Sequence, residues 1–191
     1  MLFDNYHRFI KYKLKEISNK NQLRQLIVSR RDKNSIVVND SKKLISFACN
    51  DYLSLSTDSR LKKAAHKATV KYGTGSGASR LITGNNPLYK ELEDNLSEMK
   101  KTEACIVFGS GFLANLGVIS ALANKNDLIL IDSLSHSSSF LGTKLTEAKV
   151  VKYNHNCSVD LEKKLIKYRK KYDKCMILTE GVFSMDGDIS P

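Results

Sequence analysis

The stretch Ile106-Val107-Phe108-Gly109-Ser110-Gly111-Phe112-Leu113-Ala114-Asn115 decides the fold. The apolar run Ala104 to Phe108 reads as a buried strand. It stops at two glycines and reopens as a helix pattern running to about Ala123. A buried strand that feeds a helix through Gly-Ser-Gly leaves backbone N–H groups free at the positive end of a helix dipole. Such a turn seats a phosphate or another anion. It also serves, with no ligand, as a tight strand-to-helix connection, and the turn alone does not separate the two.

Downstream the pattern repeats. Leu128–Ile131 is a strand, Ser137–Thr146 a short helix, Lys149–Tyr153 a strand, Val159–Tyr172 a helix and Cys175–Thr179 a strand. Continuous apolar strands alternating with helices predict an α/β domain with a mostly parallel sheet covered on both faces.

Upstream the rhythm differs. Phe3, Tyr6, Phe9, Ile10, Leu14 and Ile17 recur at helical spacing, so the chain opens with an amphipathic helix. Asn19 to Arg31 is polar and irregular. Ile36-Val37-Val38 and Leu44-Ile45-Ser46-Phe47 flank Asn39-Asp40-Ser41-Lys42 as a hairpin, and Asn50-Asp51-Tyr52-Leu53 is a turn. Leu61, Ala64, Ala65, Ala68 and Tyr72 define a second helix. Gly73-Thr74-Gly75-Ser76-Gly77-Ala78-Ser79-Arg80 follows a helix rather than a strand, and its glycine spacing is wrong for a dinucleotide fingerprint. A third helix starts near Pro87 and carries Leu88, Leu92, Leu96 and Met99 inward. The expected organisation is a helix-and-hairpin arm over residues 1–55 and a larger domain over residues 56–191.

Composition excludes several classes. The 191 residues are 41% hydrophobic and 27% charged, the profile of an ordinary globular chain. The net charge of +11 comes mostly from lysines scattered through predicted helices. Arg30-Arg31 and Lys170-Lys171 are short groups without interleaved aromatics, so no nucleic-acid partner is expected. Cys49, Cys105, Cys157 and Cys175 contain no Cys-x-x-Cys, which argues against zinc and for a reducing compartment. No run has the length of a membrane span, and charges at Asp4, Arg8 and Lys11 occupy the place of a signal peptide's apolar core. The expectation is a cytoplasmic protein with no membrane contact.

In open parallel sheets, ligands bind outside the carboxyl ends of the strands. Those ends deliver Gly109-Ser110-Gly111-Phe112, Asp132 to His136, Asn154-His155-Asn156 and Glu180 to Asp188. A flat cofactor bearing a phosphate suits this edge. His136 is a stacking or acid–base candidate, or simply a surface histidine at a helix start. Glu180 points into the crevice or is a solvated strand-end carboxylate. Asp132 reads as a cap for the following helix, and Asn50 as a turn residue.

Four blocks carry a resemblance. They are Gly75-Ser76-Gly77-Ala78-Ser79-Arg80-Leu81-Ile82-Thr83-Gly84, Ser110-Gly111-Phe112-x-x-Asn115, Asp132-x-x-Ser135-His136-x-Ser138, and Thr179-Glu180-Gly181-Val182-Phe183-Ser184-Met185-Asp186-Gly187-Asp188. With Cys49-Asn50-Asp51-Tyr52-Leu53-Ser54-Leu55 upstream, they resemble the α-oxoamine synthases, pyridoxal-phosphate-dependent acyltransferases of the aminotransferase-like fold. The Thr179–Asp188 block is most like that of the members making a biotin precursor from a pimeloyl thioester and alanine. Glycine C-acetyltransferases, 5-aminolevulinate synthases and serine palmitoyltransferases carry variant blocks.

The resemblance implies that Gly111 and Phe112 hold the phosphate of pyridoxal 5'-phosphate through their backbone. It implies that His136 stacks on the pyridine ring, Glu180 lines the pocket and Ser184 hydrogen-bonds the cofactor. Arg24 and Asn50 match substrate-side residues, and the family's active form is a homodimer. The substrates implied are an acyl thioester and a small amino acid, joined with loss of carbon dioxide.

The family's Asp-x-x-His element and its Schiff-base lysine element come later than Pro191. No lysine here sits in that motif, so the resemblance is to an N-terminal half, expected to be inactive alone or to work with a lysine-bearing partner. In the family's sheet order, Ala104–Phe108 lies beyond strands of the other half. It is therefore expected to find few or no strand partners, and the isolated chain to be unstable.

Overall fold

A computed structural model describes residues 2–31, 36–39 and 42–191. The chain forms two compact units, the first running to Ser79 and the second from Arg80 to Pro191.

The first unit opens with α1 (Leu2–Asn19), followed by β1 (Arg30–Arg31), β2 (Ile36–Asn39), β3 (Lys42–Ile45) and α2 (Ser59–Tyr72). The three strands form one antiparallel sheet in chain order, with Asn39 opposite Lys42. The hairpin therefore forms where the alternation placed it, and its Asp40-Ser41 turn lies outside the described residues. The Asn50–Leu53 turn forms as well, closed by the Ser54 amide donating to the Asp51 carbonyl. Asp58 caps α2 by accepting from the Arg60 amide. The apolar stripe of α1, including Tyr6, Phe9 and Leu14, is exposed.

The second unit holds the parallel sheet. It contains α3 (Pro87–Lys100), α4 (Gly111–Leu122), β4 (Leu128–Asp132), α5 (Ser137–Lys144), β5 (Lys149–Tyr153), α6 (Ser158–Tyr168) and β6 (Cys175–Leu178). The strand order is β5-β4-β6, all parallel. All five residues of β4 are buried, which is why its sequence is a run of Leu and Ile rather than an alternation. Successive side chains still point to opposite faces. Ile129 packs with Ile119 and Ala123 of α4's end, joined by Val150, Met176 and Leu178. Leu128 and Leu130 pack on the other face with Tyr153, Leu161, Leu165 and Tyr168. Each fully buried Leu or Ile contributes about 1.5–3 kcal/mol. The expectation of a sheet covered on both faces holds. The Val159–Tyr172 helix ends earlier, at Tyr168, and tightens into a 3-10 turn over Arg169–Lys171.

Two expectations about packing meet different outcomes. Ala104–Phe108 pairs with no strand among the described residues, as the family's sheet order implies. Both edges of β4 are taken by β5 and β6. The reading of this run as a buried strand is corrected: it forms no strand, and Ile106 and Phe108 are exposed, because no neighbouring strand among the described residues covers it. The inward face assigned to α3 is not buried: Leu88, Leu92 and Met99 are all exposed. Its amphipathic pattern is real, but of that face only Leu96 is half-buried among the described residues.

Candidate functional site

The turn quoted first is built as its sequence requires. Ser110 is the N-cap of α4, in extended backbone, and its Oγ accepts from the Leu113 amide at 3.2 Å. The Ser110 carbonyl takes the Ala114 amide, the first intrahelical bond. The amides of Gly111 and Phe112 precede any intrahelical acceptor and are left to a ligand at the helix's positive end.

These residues line one open pocket of about 480 Å³ with Asn115, His136, Ser138, Thr179 and Glu180. Three carboxyl-terminal connections meet there: the turn into α4, the turn from β4 into α5, and the residues after β6. Their mutual bonds are direct. The His136 amide donates to the Glu180 carboxylate. His136 Nδ1 lies 2.7 Å from Ser138 Oγ and accepts the Ser138 amide at 3.2 Å, making His136 the N-cap of α5. Asn115 Nδ2 donates to the same Ser138 Oγ at 2.8 Å. Since Nδ1 acts as an acceptor, this network assigns the ring proton of neutral His136 to Nε2.

The cap expected from Asp132 is thus supplied by His136. Asp132 instead sits fully buried at the end of β4. Its oxygens accept the amides of Leu134 (2.8 Å) and Asn156 (2.9 Å) and the Nδ1–H of His155 (2.8 Å). Burial opposes its charge, but those amides and the His155 ring hold its carboxyl below the usual range. His155 also donates from Nε2 to Asp188 at 2.8 Å, and its ring stands edge-on to the buried Phe183. Pairing with Asp132, and then with Asp188, raises the His155 pKa above its ordinary value.

The structure therefore brings Gly111, Phe112, His136 and Glu180 together. Ser184 is exposed in the turn between Val182 and Ile189, which pair as an antiparallel bridge, and it is not among the pocket-lining residues. Arg24 and Asn50 belong to the first unit, both exposed, Arg24 in an irregular stretch and Asn50 at a bend. Sequence reasoning gave no role to Asn115, Ser138, Thr179 or His155. Asn115, Ser138 and Thr179 lie inside the quoted blocks, and that was their available signal. His155 had only its place at a strand end.

With this geometry in view, the comparisons with known proteins decide the family. The model of the aminotransferase class I and II family matches residues 42–191. The chain belongs to the aminotransferase class I and II family. It is 45% identical over 183 residues to the 8-amino-7-oxononanoate synthase of Beijerinckia indica subsp. indica, covering 96% of this chain and 47% of that protein. Two solved structures superpose over the whole chain and 48% of their own length. Sphingomonas wittichii serine palmitoyltransferase does so with TM-score 0.83 and 32% identity. The serine palmitoyltransferase of S. paucimobilis with bound PLP-myriocin aldimine gives TM-score 0.86 and 30% identity. The resemblance to the N-terminal half of the α-oxoamine synthases stands. The chain spans about half the length of the curated relatives it matches. Among the described residues no helix is long and apolar enough to cross a membrane.

Proposed function

We propose that this chain carries the cofactor pocket of an α-oxoamine synthase using pyridoxal 5'-phosphate. The whole protein would then be an 8-amino-7-oxononanoate synthase, condensing a pimeloyl-type thioester with alanine, with decarboxylation, in biotin synthesis. One observation carries the reading: Gly111 and Phe112, whose amides find no partner among the described residues, line the same pocket as His136 and Glu180. The donor set fits the group. Two backbone amides and a helix dipole suit a phosphate, and an exposed imidazole held by its Nδ1 edge suits stacking on a pyridine ring.

When bound, the cofactor supplies an electron sink for charge developed at an amino-acid α-carbon. The chain's own residues then do the following. Gly111 and Phe112 fix the phosphate, and Asn115 with Ser138 sets the His136 ring. His136 keeps a proton at Nε2, and Glu180 holds the His136 backbone. Ser184 is assigned to the cofactor, and Arg24 and Asn50 to the substrates. A homodimer in the cytoplasm completes the proposal. Likeness to two serine palmitoyltransferases supports a second reading, a serine-using member with a longer acyl thioester. The glycine C-acetyltransferase and 5-aminolevulinate synthase types belong to the same alternative.

Gly111→Pro tests the pocket. Proline at the first helical position keeps the helix but removes one amide donor, and the extended Ser110 before it is compatible. Titration with pyridoxal phosphate, read by its fluorescence, should give binding that weakens roughly tenfold in Gly111→Pro, the effect of losing one hydrogen bond to a charged group. Pyridoxal lacking the phosphate should bind both forms equally weakly. Equal affinity of the two forms for pyridoxal phosphate would refute the assignment.

A further inference from the structure

Outside the pocket lining, one group of side chains joins three of the segments that shape the carboxyl edge of the sheet. His155 follows β5. It reaches Asp132 at the end of β4 through Nδ1 and Asp188, beyond β6, through Nε2, each at 2.8 Å. Asn156 repeats the connection, its amide on Asp132 and its side chain on Asp188 and the Ile189 carbonyl. Phe183, 3% exposed, meets the imidazole edge-on with ring centroids 4.5 Å apart. Phe183 and Asp188 lie in the segment that starts with Glu180, and the Phe183 amide donates to the Asp188 carbonyl. Glu180 in turn accepts the His136 amide.

We propose that His155 is a positioning residue of the pocket. By donating from both ring nitrogens it pins the Glu180–Asp188 segment to the sheet and so sets Glu180 against His136. The inference deepens the cofactor-pocket reading and rests on it for its consequence, though the clamp itself can be tested without ligand.

The clamp depends on protonation. The charged groups facing the ring are Asp132 from β4 and Asp188 and Asp186 from the segment after β6. Asp160 of α6 caps the neighbouring Asn154 amide. Both ring nitrogens donate only in the imidazolium. Asp132 is fully buried, and leaving it unpaired costs more than leaving the half-exposed Asp188 unpaired. As pH rises, the proton is therefore lost from Nε2, and the Asp188 carboxylate then faces a lone pair. The His155–Asp188 bond is made at low pH and lost as pH rises through the folded-state pKa of His155, which lies above the ordinary histidine value, leaving Asn156 alone to hold the segment.

The test follows the 15N-labelled 191-residue chain by NMR from about pH 5 to about pH 9. The His136 amide should shift with the same midpoint as the His155 ring. Asp188→Asn, at a partly exposed side chain, should lower that midpoint, and His155→Gln should abolish the step. A His136 amide that stays still through the His155 titration, or that keeps the step in His155→Gln, overturns the proposal. In a second arm, pyridoxal phosphate affinity should fall with rising pH in the wild type. At low pH it should be roughly tenfold weaker in His155→Gln, whose pH curve should lack the step at the His155 midpoint. Absence of binding by the wild type at every pH would sink the cofactor reading, while the NMR arm still decides the clamp.

Discussion

Glu93 holds Val107 by its backbone amide: its Oε1 accepts that N–H at 2.8 Å. The same carboxylate grips Arg80 in a two-pronged pair at 2.7 and 2.9 Å, and Arg80 donates to the Val107 carbonyl at 3.3 Å. Two side chains thereby satisfy the two backbone groups that a neighbouring strand would otherwise take. Arg80 is steadied by the Tyr89 ring 4.4 Å beneath it and by Asn85 at 2.9 Å. The Ala104–Phe108 segment has no ladder, yet the anion cradle at its end starts from a fixed point.

Arg80 first, and the Val107 amide second, draw the Glu93 carboxyl down to about 2 from an ordinary 4.5. A carboxyl depressed in the folded state stabilises above its unfolded pKa, and that contribution fades as pH falls through the folded one. Wild-type stability should therefore decline from about pH 4.5 to about pH 2 with a component that Glu93→Gln lacks. Urea denaturation across that range would expose the difference. Parallel pH curves for the two proteins would rule out this role for Glu93.

Ser110→Ala removes the cap of α4 and should cost about 1 kcal/mol, with Ser110→Gly milder. The check is the urea midpoint of each variant at neutral pH. An unchanged midpoint in Ser110→Ala would contradict the cap.

Gly142 of α5 packs against helix α4. A Cβ built there meets the Asn115 carbonyl oxygen and Ile119 Cδ1, both at 2.9 Å. Backbone cannot give way as a flexible side chain can, so Gly142→Ala should destabilise by about 1–3 kcal/mol. Because Asn115 also bonds Ser138, the same change should disturb the pocket and weaken pyridoxal phosphate binding. Calorimetry and a binding titration test the two halves separately.

Ile129→Ala empties a fully buried site between α4 and the sheet, with an expected loss of about 2–5 kcal/mol. Equilibrium unfolding measures it. A loss below about 1 kcal/mol would mean the face is less tightly filled than the structure indicates.

The sequence by itself determined a good deal. Runs such as Leu128–Ile131, bounded by turn residues, read as a buried strand, and Gly109-Ser110-Gly111 reads as a turn into a helix with free amides, because both follow from local chemistry. The hairpin around Asn39–Lys42 and the start of α3 at Pro87 were legible for the same reason. Tertiary structure decided the rest. That His136 rather than Asp132 caps α5, and that Asp132 is shared by Leu134, Asn156 and His155, depends on which strand ends lie side by side. The bonds joining Asp132 to His155 and His155 to Asp188 span 23 and 33 residues. No local pattern encodes such pairings, because the order of the strands and the crossovers between them set these distances.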